Sequence, residues 1–386
     1  MTTNTTLSRE TLDRLLAHPE TPRLSLYQPT HRHHPDNAQD SIRFGNLVKR
    51  LEASLAKRCT PDETRVLLRP FEALAKNEAF WQQTLDGLAV LAAPGLFEVF
   101  KLQRPVPELA IVADTFHTKP LRRALQTLDR YQVLGITRQH VRLFEGNRDV
   151  LDEVPLHPEV PGTITEALGE ELTDPHLTVA SYGGVGGPSK DMRHGHGSKK
   201  DEVGVDTERF FRVIDRAILQ HHSQPSGLPL VLAGLREHHG VFRQITHNTQ
   251  LVDEGITINF EAVSLQELRD LAWSVMEGRT HASVRELVDG FGQARASDRG
   301  LEDLAQIAAA ITAGRVATLL VEADRQIGGR FDESTGQIAF AELDDPHVDD
   351  LLDELAEGVE KTGGRALVLP AAVMPTKTGA AAILRY

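Results

Sequence analysis

Residues 131–146, YQVLGITRQHVRLFEG, contain two apolar runs, Tyr131–Ile136 and Val141–Phe144, separated by the polar tetrapeptide TRQH. That pattern predicts a hairpin of buried strands. Downstream, Phe210, Phe211, Ile214, Ala217 and Ile218 recur at helical spacing behind Asp206, a residue type suited to capping a helix start. PLVLAG, residues 229–234, then reads as another strand. Strand, helix and strand in that order predict a β-sheet with helices packed on it.

Outward from this centre, the chain divides into three α/β parts, expected at residues 1–128, 129–262 and 263–386. In the first, Ser8 caps a helix with Leu12, Leu15 and Leu16 on one face, and Pro22–Tyr27 is a strand closed by Pro29. Ile42, Leu47, Leu51 and Leu55 mark the next helix, and Thr60, Pro61 and Glu63 combine a cap, a proline at the first helical position and a capping-box acid. Gly87–Ala93 and Leu109–Ala113 are strand candidates. In the third part Ser264 and Glu267 form a capping box, and Val316–Val321, Ala366–Leu369 and the final AAILRY read as strands. Between them lies an acidic helix, expected to be capped at Asp345, with a stripe of Val348, Leu351, Leu352, Leu355 and Val359 and a stop at Gly363 and Gly364. Its carboxylates, within Glu342–Glu360, are assigned to a solvated face, with a docking surface for a protein partner as the minority reading.

The chain has 386 residues, enough for two or three domains with real cores. Its single cysteine, Cys59, excludes an intramolecular disulfide and suits a reducing compartment. Neither a leader pattern nor an apolar run long enough to cross a membrane occurs, so a cytoplasmic location without membrane contact is expected. A net charge of −13 argues against non-specific coating of DNA and restricts any RNA contact to a local patch.

That patch is the segment Tyr182–Gly204, YGGVGGPSKDMRHGHGSKKDEVG. Gly183, Gly184, Gly186, Gly187, Gly195 and Gly197 permit close backbone approach to a ligand, and Lys190, Arg193, His194, His196, Lys199 and Lys200 outnumber the acids around them. Gly-rich and locally basic, the segment has the footprint of phosphate contact, against the alternative of a surface loop without a partner. It lacks the order of glycine, lysine and hydroxyl residues of a nucleotide-binding loop, and Ser181, Ser189 and Ser198 lie in no nucleophile elbow. His31, His33, His194 and His196 would make a metal site only if two loops met, and no metal or cofactor is expected. The histidine pairs His221–His222 and His238–His239 are read as solvated or bonded to carbonyls.

YQVLGITRQHVRLFEG, HGHGSKKDE, ERFFRVIDRAI and PLVLAGLREHHGVFRQI together resemble the middle domain of the archaeo-eukaryotic class-1 peptide release factors and their ribosome-rescue relatives. GRVATLLVEADRQIGGRFD, DDLLDELAEGVEKTGGRALVLP and GAAAILRY resemble that family's C-terminal domain, which has the fold of the kink-turn-binding ribosomal proteins. With LSLYQPTHRHH and DSIRFGNLVKRLE, the whole is similar to a bacterial branch of the family. The resemblance implies a ribosome-associated factor in the decoding site, for rescue or hibernation, contacting rRNA or peptidyl-tRNA through residues 183–200, with a translational GTPase as a candidate delivery partner.

Family members carry Gly-Gly-Gln in the middle-domain loop to help water attack the peptidyl-tRNA ester. Here no glutamine occurs in the loop, and His196 or Ser198 is the candidate catalytic replacement, with Gly195 and Gly197 matching the glycines. No stop-codon-reading motif is found, so the expected action is codon-independent. The alternatives are a stand-alone hydrolase or nuclease using the loop histidines, with or without a metal, and an adaptor acting through the acidic helix.

Overall fold

The computed structural model describes residues 5, 7–169 and 198–386, with side chains from 204 onward in the last stretch. The protein is mixed α/β, with sheets in the N-terminal, middle and C-terminal parts. By Cα proximity it forms two compact units, Met1–Leu128 with His281–Tyr386, and Asp129–Thr280.

In the first unit, an antiparallel sheet has the order Leu96–Leu102, Gly87–Ala93, Arg23–Pro29, Leu109–Ala113. Successive side chains of a strand point to opposite faces. Leu24 and Leu26 therefore pack with the helices Asp40–Leu55 and Pro61–Ala75, while Tyr27 joins Leu12, Leu15 and Phe116 on the other side. Both predicted caps form: Ser8 Oγ accepts the Thr11 N–H at 3.1 Å, and Thr60 and Glu63 make a reciprocal capping box. Ile42 departs from its expected stripe and is exposed, because Phe44, Leu47, Val48, Leu51 and Leu55 define the buried face of that helix.

The C-terminal part of this unit is a four-stranded sheet, Gly300–Leu301, Ala380–Leu384, Val316–Glu322, Arg365–Leu369, in which only the last pair is parallel. One face packs on the helices Leu304–Thr312 and Leu351–Lys361, and the other on Phe291 and Leu287 of the helix Leu265–Ala296. The result is an α/β sandwich, as expected. The acidic helix is capped by Asp350, whose carboxylate accepts the Leu352 N–H at 3.1 Å, and not by Asp345. Asp349–Asp350 first pairs as a short strand with Gly328–Gly329, which delays the helix start by five residues. The turn after the helix has Gly363 at φ 75°, a left-handed conformation that glycine adopts without strain.

The second unit is built on a five-stranded sheet ordered Leu151–Val154, Val141–Gly146, Tyr131–Ile136, Leu230–Gly234, Ile256–Thr257. The predicted hairpin forms, with Tyr131 opposite Gly146 and Ile136 opposite Val141, and Tyr131–Ile136 runs parallel to Leu230–Gly234. Leu134 and Ile136 face the helix Ser198–Ile218, burying Phe210, Phe211, Ile214 and Ile218, whereas Tyr131 and Val133 face Leu268, Ala272 and Met276. A strand covered on both faces is apolar without alternation, which explains the run YQVLGI. Gly135 is required there, since a Cβ would come within 2.8 Å of the Phe260 ring.

Among the described residues no helix is long and apolar enough to cross a membrane. Truncating Phe211 or Ile214 to Ala is expected to destabilise the second unit by about 2–5 kcal/mol through lost burial and a cavity. Chemical denaturation followed by a probe in residues 129–280 checks this, and a loss below about 1 kcal/mol would contradict the packing described.

Candidate functional site

The helix Ser198–Ile218 contains the last residues of the basic segment singled out in the sequence. It begins eight residues before Asp206, so Asp206 lies inside the helix, buried, and does not cap it. Lys199, Lys200, Asp201 and Glu202 carry good or tolerable helix formers straight after the last glycine of the segment, which allows the helix to start early. Its later turns are fixed by the core of the second unit and by polar contacts: Asp215 accepts the Thr246 hydroxyl at 2.5 Å and the His247 N–H at 2.8 Å. Ser198, Lys199 and Lys200 thus form the first turn of a helix whose far half is rigidly packed. Gly183, Gly184, Gly186, Gly187, Lys190, Arg193, His194, Gly195, His196 and Gly197 lie outside the described residues.

The remaining histidines separate by environment. His31 is tied to buried Asp40, with its Nδ1 at 2.9 Å from Oδ1 and its N–H donating to Oδ2 at 2.7 Å. His33 and His34 line an open groove of about 940 Å³ with Arg32, Ser41, Lys76 and Trp81. His238 packs edge-on against Phe211, and His239 Nε2 lies 3.1 Å from the Ile256 carbonyl oxygen. Burial lowers the pKa of both. His239 fits the carbonyl-bonded reading of such pairs, whereas His238 is buried against Phe211.

His221 and His222 lie instead on a π-helical turn, Leu219–Ser223, continuing the helix from Ser198. They meet His157 from the other side of the sequence: the His157 N–H donates to His222 Nε2 at 3.2 Å, and the His157 and His221 rings stack at 4.2 Å. Pair spacing in the sequence gave no sign of His157, because 64 residues and the sheet connections bring it there.

The first unit contains a second polar assembly that the sequence placed wrongly. Asp349, Asp350, Asp353 and Glu357 are buried rather than solvated. Thr118 donates its N–H to Asp353 at 2.6 Å, His117 Nδ1 lies 3.1 Å from Asp349, Lys119 pairs with Asp350, and Arg122 pairs with Glu360. The donors come from the short helix Lys119–Leu125 and the residues before it, so the face expected to be solvated, with a docking surface as the minority reading, is occupied from within the chain. Helical periodicity locates an apolar stripe, but it cannot reveal that a distant segment supplies cations to the opposite side.

Burial raises Asp353 to about 6 against the opposing pull of His117 and Arg122, and it raises Glu354 to about 8 despite the Phe331 N–H at 2.6 Å. Burial alone would lower His117, yet Asp349, Asp353 and Asp350 together outweigh it and leave the imidazole raised. All three shifts mean that the folded unit holds more protons than the unfolded chain. The stability these groups contribute is therefore fullest in acid and declines as pH rises through about 6 and about 8.

Residues 130–315 match the model of bacterial archaeo-eukaryotic release factor family 3. Through this segment the chain is similar to the bacterial archaeo-eukaryotic release factor family. The matched range contains the hairpin, the helix Ser198–Ile218 and the strand Leu230–Gly234 quoted above. Among solved structures, the chain is similar to an archaeal translation termination factor, aRF1, at 17% identity, covering 98% of this chain and 96% of that one with a TM-score of 0.27. It is also similar to S. cerevisiae Dom34 at 13% identity, over 75% of this chain and 73% of that one, with a TM-score of 0.40. Thermoplasma acidophilum Pelota matches at 14% identity over 78% and 80%, with a TM-score of 0.23. No curated protein matches the sequence.

Two tests follow from the buried assembly. Lys119→Met leaves the Asp350 carboxylate without its cation and is expected to cost about 3–5 kcal/mol of first-unit stability in denaturant unfolding; a cost under about 1 kcal/mol contradicts the pairing. Glu354→Gln keeps an acceptor for the Phe331 N–H while removing the titration. Its stability relative to the parent chain should rise between about pH 5 and about pH 8. A difference that does not change with pH would show that Glu354 is not held protonated.

Proposed function

We propose that this protein is a ribosome-associated translation factor of the release-factor-like class, acting in rescue or hibernation of ribosomes rather than in codon-dependent termination. The observation that carries the reading is the match of residues 130–315 to a release factor family, spanning the sheet and the helix that follows the basic segment. In the proposed arrangement, residues 183–200 reach toward the tRNA acceptor end or ribosomal RNA. Lys190, Arg193, Lys199 and Lys200 neutralise phosphates, and the glycines allow close approach of the backbone.

Peptidyl-tRNA hydrolysis is the less favoured mode. The segment 182–204 contains no glutamine, and the candidates for directing water are His196 and Ser198. Binding that occupies the ribosome requires none of that chemistry. It needs a local cationic surface on an otherwise acidic chain, which the loop composition supplies.

Replacing Lys199 and Lys200 together by Glu is expected to reduce co-sedimentation with ribosomes and to flatten the dependence of binding on salt, because fewer phosphate counterions are released. The melting temperature should change little, since both residues lie in the first turn, away from the core positions Phe210–Ile218. Ribosome association indistinguishable from that of the parent chain at every salt concentration would remove these lysines from the contact surface.

A further inference from the structure

We propose that His157, Glu159 and His221 form a binding site for a divalent transition-metal ion of the zinc class in the second unit. One ligand atom from each residue lies within 4.8 Å of the others. His221 Nε2 and the Glu159 carboxylate are already 3.1 Å apart. Ligand atoms about 2.0–2.2 Å from a tetrahedral zinc lie roughly 3.4 Å from one another, so the set closes when the two imidazoles turn until their in-plane lone pairs converge. Two imidazoles and one carboxylate are a recurrent zinc donor set that leaves a fourth position for water or another ligand.

The local geometry is that of a histidine pair beside a carboxylate. The His157 and His221 rings stack at 4.2 Å with planes 8° apart. His157 Nδ1 accepts the Glu159 N–H at 3.2 Å, so an ion bound at this nitrogen takes the place of that hydrogen bond. Glu159 is largely exposed and His221 mostly covered, which gives the ion an entry path from solvent and one fixed ligand.

The backbone supplies the second argument. His221 lies within a π-helical turn, a rare feature that shifts the register of a helix and tends to be retained at functional sites. Here it accompanies the approach of His221 and His222 to the turn 157–160, and the His157 N–H is held by His222 Nε2. A metal bound to the three ligands joins the turn that follows the strand Leu151–Val154 to the far end of the helix that starts at Ser198. Its expected effect is to stiffen the base of that helix.

The test is zinc titration of the full chain after chelator treatment, read by calorimetry and by the absorption spectrum of the cobalt-substituted protein. One equivalent should bind, with a cobalt spectrum of low coordination number. His157→Ala, His221→Ala and Glu159→Gln should each weaken that equivalent by at least about 10-fold, whereas His34→Ala should not. Glu159→Gln alters an exposed side chain and keeps the comparison valid if either alanine variant folds poorly. Absence of zinc binding by the parent chain overturns the proposal. So does an equivalent that persists unchanged in all three variants, which would locate the metal at other histidines.

Discussion

Buried charge places the strictest constraint on this fold. A carboxylate leaves water at a cost of several kcal/mol unless donors replace its hydration. The segment Asp349–Glu360 meets that condition in large part through His117, Thr118, Lys119 and Arg122, more than two hundred residues earlier in the chain, with local N–H donors completing Asp350 and Glu354. The two sequence segments of the first unit are thus bound by polar contacts as well as by apolar burial. The chain between them, Asp129–Thr280, folds around its own sheet with its own two apolar layers. Apolar burial supplies most of the driving force in both units, but the ion pairs restrict which segments can meet, since a mispaired carboxylate would be left uncompensated.

Local signals in the sequence were reliable where the determining interaction is itself local. The Thr60 capping box, the Ser8 cap, the hairpin around TRQH and the stripe Leu351–Val359 each depend on residues within a few positions. The strand Leu96–Leu102 escaped notice because its pattern, LFEVFKL, is neither continuous nor cleanly alternating; its place is set by pairing with Gly87–Ala93. The acidic helix was misread for a related reason. Its carboxylates look like a solvent face until the cations from the N-terminal segment are in position. Asp206 resembled a cap because aspartate suits that position ahead of an apolar stripe, yet the helix-forming residues from Ser198 onward had already begun the helix.

The same division holds for the functional candidates. Glycine and lysine content identified the segment 182–204, and the structure roots its final residues in a helix whose other end is fixed by Phe210, Phe211 and Ile214. His157, by contrast, has no sequence feature linking it to His221; only the sheet connections bring the two rings together. A lone histidine beside a proline carries no detectable signal, whereas the fold brings His157, Glu159 and His221 together at a π-helical turn.

The functional account rests on one spatial claim: that the start of the helix Ser198–Ile218 and the basic residues before it face RNA. A cryo-electron-microscopy reconstruction of ribosomes isolated with the bound protein tests it most directly. The account predicts density for the chain in the decoding site, with the Ser198 end of that helix directed to the tRNA acceptor end or to ribosomal RNA. Ribosomes without such density, or a bound chain whose Ser198 end faces solvent, would contradict it.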